Sequence, residues 1–270
     1  MSAARGTADP PFTALVLAGS RGPDDPVARA CGVAHKCLVP VAGVPMAVRV
    51  IEALTACPSV DRIALALEDP ALLDGLPSLR PLIAAGRCAL LATGATPSLS
   101  VQRALDELPD PLPLLVTTGD HPLLTPEIVE HFCAAARATG ADLAAGLTPA
   151  SAIRKAYPDA QRTYLRFRDE RYSGANLFAI LAPDGRRAVA FWRRVEQERK
   201  RPWRLVRAFG WRPLVAYLLG RLTLDDAMAR ASRVIDARLA AVVMPYPEAA
   251  IDVDKPADLE LAETILARRQ

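Results

Sequence analysis

The 270-residue chain is short of lysine: only Lys36, Lys155, Lys200 and Lys255 stand among 33 basic residues, the remainder being arginine. Against 30 acidic residues the formal charge is +3, too small an excess to argue for a nucleic-acid surface. Cysteine is sparse as well. Cys31, Cys37, Cys57, Cys88 and Cys133 are odd in number and form no C-x-x-C pair, which argues against a disulfide framework or a zinc ribbon and fits a reduced compartment. Cys31 and Cys37 lie close together but lack the His/Asn partner pattern of a thiol nucleophile, so they read as small packing residues. No apolar run reaches the roughly 18 residues of a membrane span. The opening MSAARGTADPPF lacks the apolar centre of a secretory signal. The expectation is a soluble, cytoplasmic protein.

Apolar residues, at 51%, supply a sizeable core. Short apolar runs bounded by turn residues recur at TALVLA (13 to 18), RIALAL (62 to 67), CALLAT (88 to 93) and PLLVTTG (113 to 119), as buried strands require. Between them, segments 45 to 56, 99 to 108 and 125 to 139 carry apolar residues at three- and four-residue spacing, the last opening with Thr and Pro. This alternation predicts an α/β fold with a mostly parallel sheet and flanking helices. Ligands of such sheets bind beyond the carboxyl ends of strands, where Gly19 and Asp120 fall. Residues 162 to 180 read as a polar hairpin, 185 to 235 as a helical insertion, 239 to 246 as a last strand, and the end of the chain as a terminal helix with apolar residues at 259, 261, 262, 265 and 266. The whole chain, 1 to 270, reads as one domain.

The first strand ends in the loop LAGSRG. No Gly-Lys-Ser/Thr follows Gly22, which excludes a Walker A loop, and Gly19 with Gly22 does not make a dinucleotide fingerprint. A loop of small residues still lets backbone amides face an anion, because no bulky Cβ obstructs the approach. Lys36, further along, can supply a point charge for a phosphate.

The stretches LVLAGSRG…HKCLVPVAGVPM, TTGDHPLLTPEIV and IDVDKPADLELAE, in that order, resemble the GT-A-fold, MobA-like nucleotidyltransferase superfamily, especially its molybdenum-cofactor and other small-molecule cytidylyltransferases. The resemblance covers roughly residues 13 to 140 and 236 to 268. It implies a Rossmann-like (GT-A-type) twisted sheet and transfer of a nucleoside monophosphate, CMP from CTP being favoured, to a small phosphorylated acceptor such as a polyol, sugar or glycerate phosphate, with release of pyrophosphate. It further implies that Leu17, Ala18, Gly19, Ser20, Arg21 and Gly22 bind the triphosphate and base. Lys36 would steady the phosphates and, with Arg21 and Asp120, act as a catalytic residue; Thr118 and Gly119 would join the nucleotide site, and Asp120 would hold Mg²⁺ or Mn²⁺. Asp254 matches the second metal-ligand position, with Asp252 as the alternative. Ser98, Ser100 and Gln102 become candidates for ribose or base contacts, and Ser173 and Asn176 for the acceptor.

The chemistry asks for the same residue types. Displacement at an α-phosphorus depends on positioning and charge neutralisation, so cations matter more than a general base, and no catalytic histidine is needed. The chain departs from the family pattern at Ser20, in the position of a second glycine, and in the spacing of Arg21; Asp24 and Asp25 also bring negative charge near the expected triphosphate. The stretch 186 to 220 is rich in arginine and tryptophan. It predicts a lid or packing helix, with a peripheral membrane surface or a homodimer face as alternatives. Two further readings stand beside the transferase: a GT-A glycosyltransferase using a nucleotide sugar, with DVD (252 to 254) as its D-x-D, and an inactive nucleotide-binding scaffold.

Overall fold

The computed structural model describes residues 9–20, 24–198 and 211–269, with side chains excepted at 211–214. Strand β1, Phe12–Leu17, is buried along nearly its whole length, as a central parallel strand covered on both faces must be. It is followed by helix α1 (Pro26–Ala30), the short strands β2 (Pro40–Val41) and β3 (Val44–Pro45), helix α2 (Met46–Thr55) and strand β4 (Val60–Leu67). Helix α3 (Arg80–Ala84), strand β5 (Cys88–Ala92), helix α4 (Pro97–Glu107), strand β6 (Leu114–Thr118) and helix α5 (Pro126–Ala138) complete the first half. Helices α4 and α5 start alike: Thr96 and Thr125 accept hydrogen bonds from the Leu99 and Ile128 amides, and a proline occupies the first turn of each.

The second half holds β7 (Leu143–Pro149), α6 (Ala150–Ala156), β8 (Leu165–Arg166), β9 (Arg171–Ile180), α7 (Gly185–Gln197), α8 (Trp211–Leu218), α9 (Leu224–Ile235), β10 (Leu239–Val243) and α10 (Pro256–Arg269). The eight-stranded sheet runs β10-β7-β9-β6-β1-β4-β5, with β8 paired to β9. Its main pairings are parallel except those of β9, which is antiparallel to β6, β7 and β8. The chain builds outward from β1 to β4 and β5, then returns to β6 on the other side. The order therefore reverses at β1, and the crevice outside the carboxyl ends of β1 and β6 is where a ligand site forms in such sheets.

Helices α2 and α5 cover one face through Ile51, Leu54, Val129 and Phe132. On the other face α4 and α7 pack through Val101, Leu105 and Val189, so α7, the first helix of the expected insertion, belongs to the main core. A third cluster joins Val27, Met46, Ile251 and Ile265, locking α1 and the 36–46 stretch to α10. Burial of each large side chain there contributes about 2 kcal/mol. This cluster fixes the two ends of the chain against each other and determines where Lys36 and Asp254 meet. Of the stretch 186 to 220 read as lid or membrane surface, residues 199–210 lie outside the described residues. Among the described residues no helix is long and apolar enough to cross a membrane.

Candidate active site

A cavity of about 1110 Å³ opens over the crevice between β1 and β6. Lys36 stands on a single turn of 3-10 helix, Lys36–Leu38, whose first amide is held by the preceding histidine: His35 Nδ1 accepts from the Cys37 N–H at 3.2 Å. Burial lowers the His35 pKa, which keeps that ring neutral and its Nδ1 available as an acceptor. Asp120 follows β6 at the cavity floor. The 252–254 loop is tied to it by the Val253 N–H, which donates to the Asp120 carbonyl at 2.9 Å.

These supports converge on one arrangement. Lys36 Nζ donates to Asp120 Oδ2 at 2.5 Å and to Asp254 Oδ1 at 2.8 Å. Burial works against the ammonium, but the Asp120 and Asp254 carboxylates outweigh it and raise the Lys36 pKa. One cation between two carboxylates leaves the group a charge short. Asp120 Oδ1, moreover, is buried without a hydrogen-bond partner among the described residues. Oxygen donors with an unmet charge fit a hard divalent cation such as Mg²⁺, which takes one or two carboxylates and completes its shell with phosphate oxygens and water. Among the described residues no group of three or more His, Cys, Asp or Glu side chains could hold a metal alone, so the substrate's oxygens would have to contribute.

Asp252 has a different setting. Arg162 forms an ion pair with its carboxylate and donates to its carbonyl at 3.2 Å, and Asn176 Nδ2 donates to Asp252 Oδ2 at 2.9 Å. The same arginine lies 3.8 Å from Asp258, whose carboxylate accepts the Asp254 and Lys255 amides at 3.1 and 2.9 Å at the start of α10. Asp252 and Asp258 thus orient the loop, which leaves Asp254 to face Lys36. Asn176 reaches this network because β9 bulges there: Ala145 pairs with Phe178, but Leu147 pairs with Gly174, and Asn176 has a φ of 50°, a left-handed conformation that asparagine tolerates.

The described part of the opening loop, Ala18 to Ser20, is closely packed. A Cβ on Gly119 would come within 3.2 Å of Ala18 Cβ, so the chain passes closely under the β1 end. The Ser20 amide donates to Glu68 Oε1 at 2.7 Å, which shows that this amide is presented to a carboxylate at the cavity edge. Asp25, expected to bring negative charge near a triphosphate, lines the cavity and also caps α1 by accepting from the Val27 and Ala28 amides, both at 3.0 Å. Asp24 is exposed and lies 3.8 Å from Arg29.

Of the residues singled out in the sequence, Leu17, Gly19, Ser20, Lys36, Ser100, Thr118, Asp120, Asn176, Asp252 and Asp254 line the cavity. Ala18 and Gly119 are buried beside it. Ser98 is buried at the α4 start and donates to Glu196, whereas Gln102 donates to Asp106, one turn further along α4, and does not line the cavity. Ser173 is buried and pairs with Thr148 within the sheet, away from the cavity lining. Arg21 and Gly22 lie outside the described residues. Sequence reasoning missed Glu68, Thr93, Gly94, Phe178, Trp192 and Glu196 in the lining, and Arg162 behind it. Gly94 carried a signal, standing just after an apolar run: a Cβ there would come within 2.4 Å of Leu99 Cβ, so only glycine fits the turn into α4.

The fold and the lysine-aspartate floor describe a nucleotidyltransferase-type protein, and the comparisons agree. The chain belongs to the MobA-like NTP transferase domain family, whose model matches residues 14–233. A hypothetical transferase from Thermus thermophilus is 34% identical, with a TM-score of 0.77, and the match covers 92% of this chain and 99% of that one. The same architecture occurs in a CMP:2-keto-3-deoxy-manno-octonic acid synthetase solved with CTP, with 16% identity, a TM-score of 0.55 and coverage of 96% of this chain and 99% of that chain. It occurs too in 4-diphosphocytidyl-2C-methyl-D-erythritol synthase from Anaerococcus prevotii, with 15% identity, a TM-score of 0.55 and coverage of 96% of this chain and 98% of that chain. No curated protein matches the sequence.

Proposed function

We propose that the protein transfers a nucleoside monophosphate, CMP from CTP being the favoured case, to a small phosphorylated acceptor. An acceptor phosphate oxygen forms the new bond to the α-phosphorus of the nucleotide. The bond from that phosphorus to the α–β bridging oxygen breaks, and pyrophosphate leaves with the electron pair. The acceptor phosphate is already an anion at neutral pH, so no side chain has to remove a proton. The observation that carries this reading is the Lys36 ammonium between Asp120 and Asp254 at the floor of the cavity.

Lys36 lies within reach of phosphates entering the cavity and would move part of its charge from the carboxylates to them as negative charge grows in the transition state. Asp120 and Asp254 would hold Mg²⁺, which would offset triphosphate charge and align the α-phosphorus. Gly19 and Ser20, which line the cavity, would meet the triphosphate, and Thr93, Gly94 and Ser100 line it near β5. Asp252 speaks against the glycosyltransferase reading, because Arg162 and Asn176 engage its carboxylate and DVD does not present two carboxylates side by side.

The test is pyrophosphate release from CTP, GTP, ATP and UTP with Mg²⁺ and a panel of phosphorylated acceptors, on the native chain and on Asp120→Ala. Acceptor-dependent release that Asp120→Ala abolishes, with the fold intact by circular dichroism, supports the transferase. Turnover that survives the change rejects the metal-holding role, and hydrolysis or transfer of nucleotide sugars alone rejects the reaction.

A further inference from the structure

The wall of the cavity formed by β9 and α7 differs from the rest of the site. Phe178 of β9 and Trp192 of α7 both line it, stacked with ring centroids 6.1 Å apart and planes 27° from parallel. One helical turn beyond Trp192, Glu196 also faces the cavity. Its carboxylate accepts the Ser98 hydroxyl, and no cationic side chain pairs with it among the described residues. Glu196 sits in the last turn of α7 and, through Ser98, against the first turn of α4. The nearby Arg193 and Arg194 are exposed and do not line the cavity.

A carboxylate and a stacked pair of aromatic rings therefore share one wall of the cavity. The wall also lies on the β9 side of the Lys36–Asp120–Asp254 floor, whereas the Gly19 and Ser20 amides lie on the β1 side. Donor and acceptor would occupy these opposite sides.

We propose that this wall recognises a cationic acceptor: a phosphate monoester whose other end is an alkylammonium or quaternary ammonium group, held by the Trp192 and Phe178 rings and by the Glu196 charge. Aromatic faces with a carboxylate are a general solution for such cations. A glycerate phosphate would instead set a second carboxylate against Glu196. The inference rests on the transferase reading above and names its acceptor class; the phosphate of the acceptor remains the attacking group.

The experiment measures pyrophosphate release from CTP and Mg²⁺ with choline phosphate, ethanolamine phosphate, glycerol 3-phosphate and 3-phosphoglycerate, after thermal stabilisation by CTP and Mg²⁺ alone has been recorded. The expected result is a kcat/KM for one of the two cationic phosphates about tenfold or more above that for glycerol 3-phosphate, with 3-phosphoglycerate lowest. Glu196→Gln keeps the Ser98 contact, and Trp192→Leu keeps apolar bulk; either should bring the cationic-to-neutral ratio toward one while the KM for CTP changes less than about twofold. An equal or better rate with glycerol 3-phosphate or 3-phosphoglycerate, no turnover of either cationic phosphate, or a ratio unmoved in both variants overturns the inference. Stabilisation by CTP without any preference for cationic acceptors removes this inference and leaves the transferase standing. No response to CTP, or to GTP, ATP or UTP tried in its place, removes both.

Discussion

Lys36 and Asp254 are 218 residues apart in the chain, yet Lys36 Nζ lies 2.8 Å from Asp254 Oδ1. The cluster of Val27, Met46, Ile251 and Ile265 makes this closure, by packing the terminal helix against the segment that carries the lysine. The site is thus assembled by core packing between chain ends, and its energetics depend on both charges being present.

Removing that ammonium has a signed consequence. Lys36→Met leaves Asp120 and Asp254 facing each other without a cation, which should lower kcat/KM by about 10²- to 10³-fold and make the melting temperature more responsive to Mg²⁺ than that of the native chain. Because its partners raise the Lys36 pKa in the folded state, the stability it contributes is fully present below the unfolded lysine value of about 10.4 and lost only as pH rises through the higher folded value. The pH–rate profile should accordingly show no Lys36 inflection between pH 6 and about 9. Such an inflection, absent from Lys36→Met, would show that the ammonium is not held as described.

Arg162 supports the same loop from behind. Its side chain and that of Asp252 are about one-tenth exposed, so Arg162→Leu strands a buried carboxylate and should cost about 3 kcal/mol of stability. Urea melts measure this directly. The change should lower kcat with little effect on nucleotide-induced stabilisation, since Arg162 orients the loop from outside the cavity lining.

His121 gives a pH signature of folding. It is fully buried, and burial lowers its pKa to about 4, while the Glu248 carbonyl, 3.3 Å from Nε2, partly opposes the shift. Between about pH 6.5 and 4 the unfolded chain binds a proton that the folded chain does not, so stability falls as pH falls, by up to about 3 kcal/mol from this group. His121→Asn should flatten the melting temperature over that window; an unchanged slope would place the acid sensitivity elsewhere.

Four of the five cysteines are buried: Cys37, Cys57, Cys88 and Cys133. Desolvation raises their thiol pKa, to about 12 for Cys37 and Cys57 and about 11 for Cys88. A maleimide added to the native protein at neutral pH should label Cys31 alone, and mass spectrometry of tryptic peptides reads the outcome.

Much of this architecture was legible in the sequence because its parallel strands are short, apolar and bounded by turn residues. Buried runs such as FTALVL and LLVTT leave little room for another reading, and a Thr-Pro start announced α5. Strand β7 was not legible, since ADLAAGLT has alanine and glycine where strands usually carry branched residues; Gly146 fits because a Cβ would come within 3.2 Å of Ala175 Cβ. Lys36, Asp120 and Asp254 were visible as motifs, but their mutual contact follows from tertiary packing that no local pattern encodes. Ser98, Gln102 and Ser173 were drawn toward the ligand by the family resemblance; in the structure they meet Glu196, Asp106 and the β7 pairing. Phe178, Trp192 and Glu196 were missed because their side chains meet only once α7 lies across β9.

The most direct measurement of the central claim is the melting temperature with CTP, GTP, ATP, UTP and the corresponding nucleotide sugars, each with and without Mg²⁺, on the native chain and on Asp120→Ala. A ligand that binds only the folded state raises that temperature, by an amount equivalent to about 2.7 kcal/mol at a hundred times its Kd. The account predicts stabilisation by one triphosphate that needs both Mg²⁺ and Asp120. Stabilisation by nucleotide sugars alone, or by a triphosphate equally in Asp120→Ala and without Mg²⁺, would contradict it.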